Sequence, residues 1–192
     1  MMVRRSAISL LFAAATVMAV AAHPHVFINN KMTVVFKQGE LEGMTFRWTF
    51  DPMFTTMILA DVAPNAEGEF TEKQTNQIKT TAFDNLANYH YFLAFVIGKT
   101  SLKKIRIEQF SARVVKHNNL VYSFFVPLGL PVTPEEQTVR VTVYDDSYYV
   151  AFDLTHADDV TVEGCRCSRS CHHDSRRPVR ENAALTSELP LC

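Results

Sequence analysis

Val26-Phe27-Ile28-Asn29-Asn30-Lys31-Met32-Thr33-Val34-Val35-Phe36, answered by Met44-Thr45-Phe46-Arg47-Trp48-Thr49-Phe50, is the stretch that decides the fold. In the first run Val26, Ile28, Met32, Val34 and Phe36 share one parity. His25, Asn29, Lys31, Thr33 and Lys37 share the other, broken by Phe27 and Val35. Alternation with period two is the signature of a half-buried strand. The second run places Met44, Phe46, Trp48 and Phe50 inward, with Thr45, Arg47 and Thr49 outward. Gln38-Gly39-Glu40 lies between them as a turn, so the two runs form a hairpin. Arg47 reads as a solvated strand residue.

Downstream, Asp51-Pro52 opens a helix, with Asp as cap and Pro at the first helical position, over about Met53 to Ala60. Asp61 to Glu69 is a polar loop. Its Asn65-x-Glu67-Gly68 piece resembles part of a calcium loop. With Gly68 as the central glycine, however, the first and twelfth positions fall on Ala63 and Gln74, which argues against calcium. Thr71-Glu72-Lys73-Gln74 is a capping box, and a helix from Glu72 to about Tyr89 follows, with Ile78, Ala82 and Leu86 on one face. His90 falls at its C-terminal end, where the dipole favours it.

Tyr91 to Ile97 is apolar throughout and reads as a buried strand. Residues 103–116 read as a strand whose apolar parity switches between Ile107 and Phe110, as a bulge would cause. His117-Asn118-Asn119 is a turn, Leu120 to Val126 a strand, and Pro127 to Pro134 a crossover loop. Val139, Val141 and Val143 alternate with Thr138, Arg140 and Thr142. Asp145-Asp146-Ser147 then turns the chain, Tyr148 to Leu154 comes back, and Val160 and Val162 close the domain. The expectation is an α+β protein: mainly antiparallel sheet in sandwich-like hairpins, with one helical insertion around residues 52–90, in a single domain over 23–164.

Residues 1–22 stand outside that domain. Arg4-Arg5 followed by the apolar run Ala7 to Ala22, ending in Ala19-Val20-Ala21-Ala22, is the pattern of a secretory signal peptide. Its sixteen apolar-run residues fall short of the ~20 a membrane span needs. The expected location is outside the cytoplasm. Without Arg4 and Arg5 the chain carries 17 basic and 20 acidic side chains, an acidic balance that argues against a nucleic-acid partner. All four cysteines, Cys165, Cys167, Cys171 and Cys192, lie in residues 165–192, an Arg- and Cys-rich tail without periodicity that reads as disordered. Cys165-x-Cys167-x-x-x-Cys171-His172-His173 resembles a soft-metal cluster, though an oxidising compartment favours disulfides there.

His23-Pro24-His25 is the strongest chemical signal. Neutral imidazole is a good ligand for zinc, nickel, cobalt and copper. Cleavage after Ala22 would let the His23 amine and ring chelate one ion together. Pro24 has no amide proton, so the copper mode that uses deprotonated amides cannot form. His25 has the polar parity of the first strand and is presented rather than buried. A tighter site needs a third ligand. His156, His90 and Asp51 are the candidates, with His156 the expected ligand beside His23 and His25. The alternative is a pair of surface histidines with no metal role. No phosphate loop, nucleophile elbow, zincin helix or Cys–His catalytic pattern occurs in the body, so the protein is expected to bind and release rather than to be an enzyme.

Several landmarks coincide: the leader with His23-Pro24-His25-Val26-Phe27-Ile28; Phe46-Arg47-Trp48-Thr49-Phe50-Asp51; Asn88-Tyr89-His90-Tyr91-Phe92; Phe125-Val126-Pro127-Leu128; and Val143 to Phe152. Over about residues 1–163 the chain resembles a bacterial family of unknown function whose members are described as periplasmic components of uncharacterised ABC-type transport systems. That family is often linked with nickel, cobalt or zinc transport genes. The resemblance implies a metal-binding accessory or solute-binding component of a transition-metal transporter, with a metal ion and an inner-membrane transporter as partners. The alternative is a metal-free module that docks on such a transporter. Many family members carry a fuller calcium-type loop than Asp61 to Glu69 offers.

Overall fold

The alternation at Val26 to Phe50 folds as the hairpin it predicts. The computed structural model describes residues 24–115, 118–132, 137–154, 156–164 and 185–191. Strand β1 (Val26–Lys37) pairs antiparallel with β2 (Glu40–Phe50), from Ile28 opposite Phe50 to Lys37 opposite Glu40. Gln38 and Gly39 both have positive φ, 53° and 84°, the mirror-image turn whose twist matches the flanking strands. Ile28, Met32, Val34, Met44, Phe46 and Trp48 are buried on the inner face.

Two strands extend the sheet beyond β2. The helical insertion and three further strands intervene in the chain: β3 (Leu93–Ile97), β4 (Thr100–Ser101) and β5 (Glu108–Val115). Strand β6 (Asn119–Pro131) then pairs with β2, and β5 pairs with β6. The register of β5 on β6 shifts between Glu108 and Ser111, with Gln109 at φ 53°, so the parity switch is a bulge. The expected crossover loop at Pro127 to Pro134 is corrected. Strand β6 continues to Pro131, pairing Pro127 with Gly43 and Leu130 with Leu41. Strand β5 pairs with β6 only as far as Phe125. Beyond it, among the described residues, no strand pairs with that edge of β6, where a residue without an N–H is tolerated.

The last strands also depart from the expected hairpin. Strand β7 (Gln137–Val143) pairs with β3 in a second sheet, while β8 (Val150–Asp153) crosses back to lie parallel beside β1. Asp145 makes this corner. Its carboxylate accepts from Ser147 N (2.9 Å), Ser147 Oγ (2.7 Å) and Val150 N (2.8 Å), and the residue is itself buried. The paired aspartates are therefore a turn, as read, but one that transfers the chain between sheets. Strand β9 (Val160–Glu163) also runs parallel to β1, further along it. Among the described residues one sheet has the order β5-β6-β2-β1-β8, with β9 also on β1. The other has the order β10-β7-β3-β4.

Strand β10 (Leu185–Leu191) pairs antiparallel with β7, Leu185 opposite Val143. This corrects the expectation of a disordered tail for its last stretch. Residues 165–184 and Cys192 lie outside the described residues, so the soft-metal cluster at Cys165 to His173 does too.

The sheets face one another, with the Phe46 and Phe95 rings edge-to-face at 6.3 Å. The helical insertion closes one side. Helix α1 (Pro52–Asp61) is followed by α2 (Glu72–Ile78), which opens with the predicted capping box: Thr71 N donates to Gln74 Oε1 at 2.9 Å and Gln74 N to Thr71 Oγ1 at 3.3 Å. A regular helix to Tyr89 does not follow. The chain widens into a π turn (Lys79–Phe83) and then tightens into a 3-10 segment (Asp84–Phe92). The widened turn buries Phe83 completely, against Phe110 (4.5 Å), Phe124 (5.1 Å) and Trp48 (6.4 Å). His90, Tyr91 and Phe92 then have φ of 51°, 52° and 55°. Left-handed backbone costs an L-residue roughly 1–2 kcal/mol. The packing of Phe92 on Phe152 (5.5 Å) and of Tyr91 on Phe83 (5.3 Å) opposes that cost.

Two substitutions test this packing by urea denaturation. Trp48 is fully buried, and Trp48→Ala is expected to lower stability by about 3–5 kcal/mol. A Cβ on Gly43 would stand 2.3 Å from the Val126 carbonyl oxygen and 2.5 Å from Phe125 Cζ. Gly43→Ala is therefore expected to cost about 1–3 kcal/mol. A Gly43→Ala protein as stable as the parent would contradict the β2–β6 approach described.

Candidate functional site

Asp51 ends β2 and caps α1, as Asp51-Pro52 predicts, but it does more than cap. Oδ1 accepts from Phe54 N at 2.9 Å, in the first turn of α1. Oδ2 accepts from Phe27 N at 2.7 Å, and Asp51 N donates to Phe27 O at 3.0 Å. One carboxylate thus fastens β1 to the start of α1. Thr55, the buried residue of α1, donates its hydroxyl to Asp51 O (2.8 Å) and accepts from Leu120 N (2.9 Å), which ties the same turn to β6. A helix this short is marginal alone and is held by these tertiary bonds.

His25 stands just ahead of β1 and is exposed. Its backbone N donates to Tyr149 O at 2.8 Å, and its ring lies 5.0 Å from the Tyr149 ring, tilted by 34°. Tyr149 comes from the corner held by Asp145. The imidazole is therefore presented from a backbone fixed on both sides, two residues from the amide that Asp51 binds. Tyr149 and Phe27 are exposed beside it, at 52% and 54%.

The structure does not bring His156 to this place. His156 opens the short 3-10 turn Ala157–Asp159, its N donating to Asp159 Oδ2 at 2.8 Å. Strand β8 runs beside β1 from Val26 to Asn29, and β9 joins at Met32. His156 therefore lies about five residues along β1 from His25, roughly 15 Å at ~3.3 Å per residue. His90 is exposed in the left-handed turn that ends the insertion. His23 lies outside the described residues, and among those described no three His, Cys, Asp or Glu side chains are grouped as a metal site. In the loop before α2, the Asn65 carboxamide accepts from Glu67 N (3.1 Å) and Glu69 N (2.8 Å), so it serves its own turn.

Sequence reasoning missed a shallow cleft of about 320 Å³ on the outer face of the first sheet, beside Asp51. Phe27, Asn29, Thr49, Asp51, Asn119 and Asp153 contribute to its walls, and no lysine or arginine does. Two carboxylates, two carboxamides and a hydroxyl around an aromatic ring favour a cation over an anion. Asn29 and Thr49 were legible as outward residues of the hairpin. Asn119 and Asp153 join them only through the β6 and β8 pairings.

A family model described as "Protein of unknown function (DUF1007)" matches residues 8–191, a span that reaches through β10. An uncharacterized protein of Haemophilus influenzae is 27% identical over 154 residues, which cover 79% of this chain and 71% of that protein. An uncharacterized 15.5 kDa protein from the trpE 3′ region of Spirochaeta aurantia is 32% identical over 99 residues, covering 52% of this chain and 69% of that one. The His-Pro-His opening and the β1–β2 hairpin sit within a match that spans nearly the whole chain, and the protein belongs to this family of unknown function.

Proposed function

We propose that this protein is an exported, periplasmic metal-binding accessory component of a transition-metal transport system, which binds and releases an ion of the zinc, nickel, cobalt or copper class. The observation that carries the reading is the exposed His25 imidazole, held by Tyr149 at the entry to β1, with the Asp51 carboxylate on the neighbouring strand end. The leader supports export, and the resemblance to periplasmic transport components supports the partner. In this reading His23 and His25 supply imidazoles, and Asp51, whose oxygens each keep a lone pair beyond the bonds described, replaces His156 as the third donor.

A second reading has its own support. Phe27, Tyr148, Tyr149, Met53 and Met57 are all about half exposed. Such residues suit a metal-free module that docks on a transporter through this end of the sheet.

Calorimetric titration of the untagged mature protein separates the two. The metal reading expects at least one of the four ions to bind with Kd below ~10 μM. It also expects His25→Ala to weaken that binding about tenfold or more, a loss of ~1.4 kcal/mol, and His156→Ala to leave it unchanged. Asp51→Asn removes the charge and leaves one oxygen where two accept from Phe27 N and Phe54 N, so it should weaken binding and also lower Tm, whereas His25→Ala should weaken binding with little change in Tm. No binding at that level, with His25→Ala indistinguishable from the parent, leaves the docking reading.

A further inference from the structure

Asn30, Trp48 and Tyr122 are neighbours in one row across the inner face of the first sheet: Asn30 is the cross-strand partner of Trp48, and Trp48 of Tyr122. All three residues are at least nine-tenths buried. Each carries a polar atom without a hydrogen-bond partner in the protein: both ends of the Asn30 carboxamide, Trp48 Nε1 and the Tyr122 hydroxyl. Asn30 has the same parity as the apolar Ile28, Met32 and Val34, so the pattern that builds the core also carries a carboxamide into it.

A single orphan of this kind is an ordinary imperfection, whereas three in adjacent positions are a site. Buried polar groups left unpaired would cancel much of the stability of a domain this size. The row offers four donor hydrogens, two on the carboxamide, one on the indole and one on the phenol, and acceptor oxygens on the carboxamide and the phenol. Apolar rings pack against the row, including Phe50 at 4.8 Å from Tyr122 and Phe152 at 5.4 Å from Trp48. They offer no acceptor in reply. Burial also drives the Tyr122 hydroxyl's pKa far upward, so it stays neutral and keeps its proton to donate.

The pairing at the edge of the sheet is interrupted beside the row. Strand β1 is paired with β8 up to Asn29 and with β9 from Met32 onward. Asn30 and Lys31 therefore lie in the gap between the two pairings, next to the turn that carries Asp159. That turn is itself polar, with Asp159 buried and 3.5 Å from Lys31 Nζ.

We infer that Asn30, Trp48 and Tyr122 form an internal hydration site, where long-lived water hydrogen-bonds the carboxamide, the indole N–H and the phenol beneath the aromatic layer. The ligand class is water rather than an ion, because every group in the row is neutral and the site has no charged side chain.

The test is proton NMR of the whole mature protein labelled with ¹⁵N. Magnetisation transfer from water to the Trp48 Nε1 proton and the Asn30 carboxamide protons is expected, with the sign of a bound water rather than bulk solvent. Asn30→Leu should abolish the transfer at Trp48 or reduce it severalfold, and should lower Tm by about 3 °C or more. Tyr122→Phe is the second variant, removes only one oxygen, and should also lower Tm. The inference is overturned if the parent protein shows no such transfer. It is equally overturned if Tyr122→Phe raises Tm, because deleting a group that is truly unpaired and dry is stabilising. If Asn30→Leu does not fold, the parent spectrum and Tyr122→Phe still decide the question.

Discussion

The burial of one indole organises this protein. Trp48 lies near the end of the central strand β2, fully shielded from solvent, and touches rings from several elements. Phe124 meets it edge-on at 4.9 Å from β6, Phe152 at 5.4 Å from β8, Phe83 at 6.4 Å from the π turn, and Phe92 at 6.4 Å from the left-handed turn. Elements far apart in the chain therefore share one packing partner. The two irregular stretches of the helical insertion exist where they deliver Phe83 and Phe92 to it. Strained backbone persists when surrounding packing over-determines it, and these two rings supply that packing at the end of the insertion.

Two aspartates serve as joints around this core, and neither needs a catalytic role to explain it. Asp51 uses its two carboxylate oxygens on two different elements, the first turn of α1 and the backbone of β1. Asp145 uses its oxygens on Ser147 and Val150 to turn the chain out of one sheet and into the other. Carboxylates that accept several backbone N–H bonds act as rigid connectors because charge-assisted bonds are the stronger class. The two joints have a shared consequence, since Asp51 fixes the backbone just after His25 and Asp145 fixes the corner that carries Tyr149. The exposed imidazole inherits its position from both.

The chemistry available at that end of the sheet follows from this framework. It includes an imidazole on a tyrosine ring, a carboxylate two residues away along the backbone contacts, and a shallow cleft lined by both oxygen-bearing side chains and apolar ones, among them Phe27, Phe50 and Phe152. No basic side chain lines the cleft, so it is electrostatically suited to cations. The rest of the outer surface at this end is aromatic and thioether-rich, through Tyr148, Tyr149, Met53 and Met57.

The sequence by itself determined everything governed by local period and local capping. The hairpin was legible because alternating parity sorts side chains to two faces. The β5 bulge was legible because an extra residue inverts that parity, and both caps because their donors and acceptors lie within four residues of each other. His25 was legible as an outward residue for the same reason, and Asp51 as a cap. Tertiary structure alone decided what depends on partners distant in the chain. Tyr148 to Leu154 joins β1 rather than β7, and β6 continues through its prolines because, among the described residues, no strand pairs with its outer edge there. The helix after Ile78 loses its regular form in order to bury Phe83. The spacing of candidate ligands belongs to this second class. Parallel pairing of β8 and β9 on β1 carries His156 along the sheet away from His25, while the bond from Phe27 N to Asp51 brings a carboxylate toward it. Neither distance is encoded in local sequence, because both are set by the register between strands more than twenty residues apart in the chain.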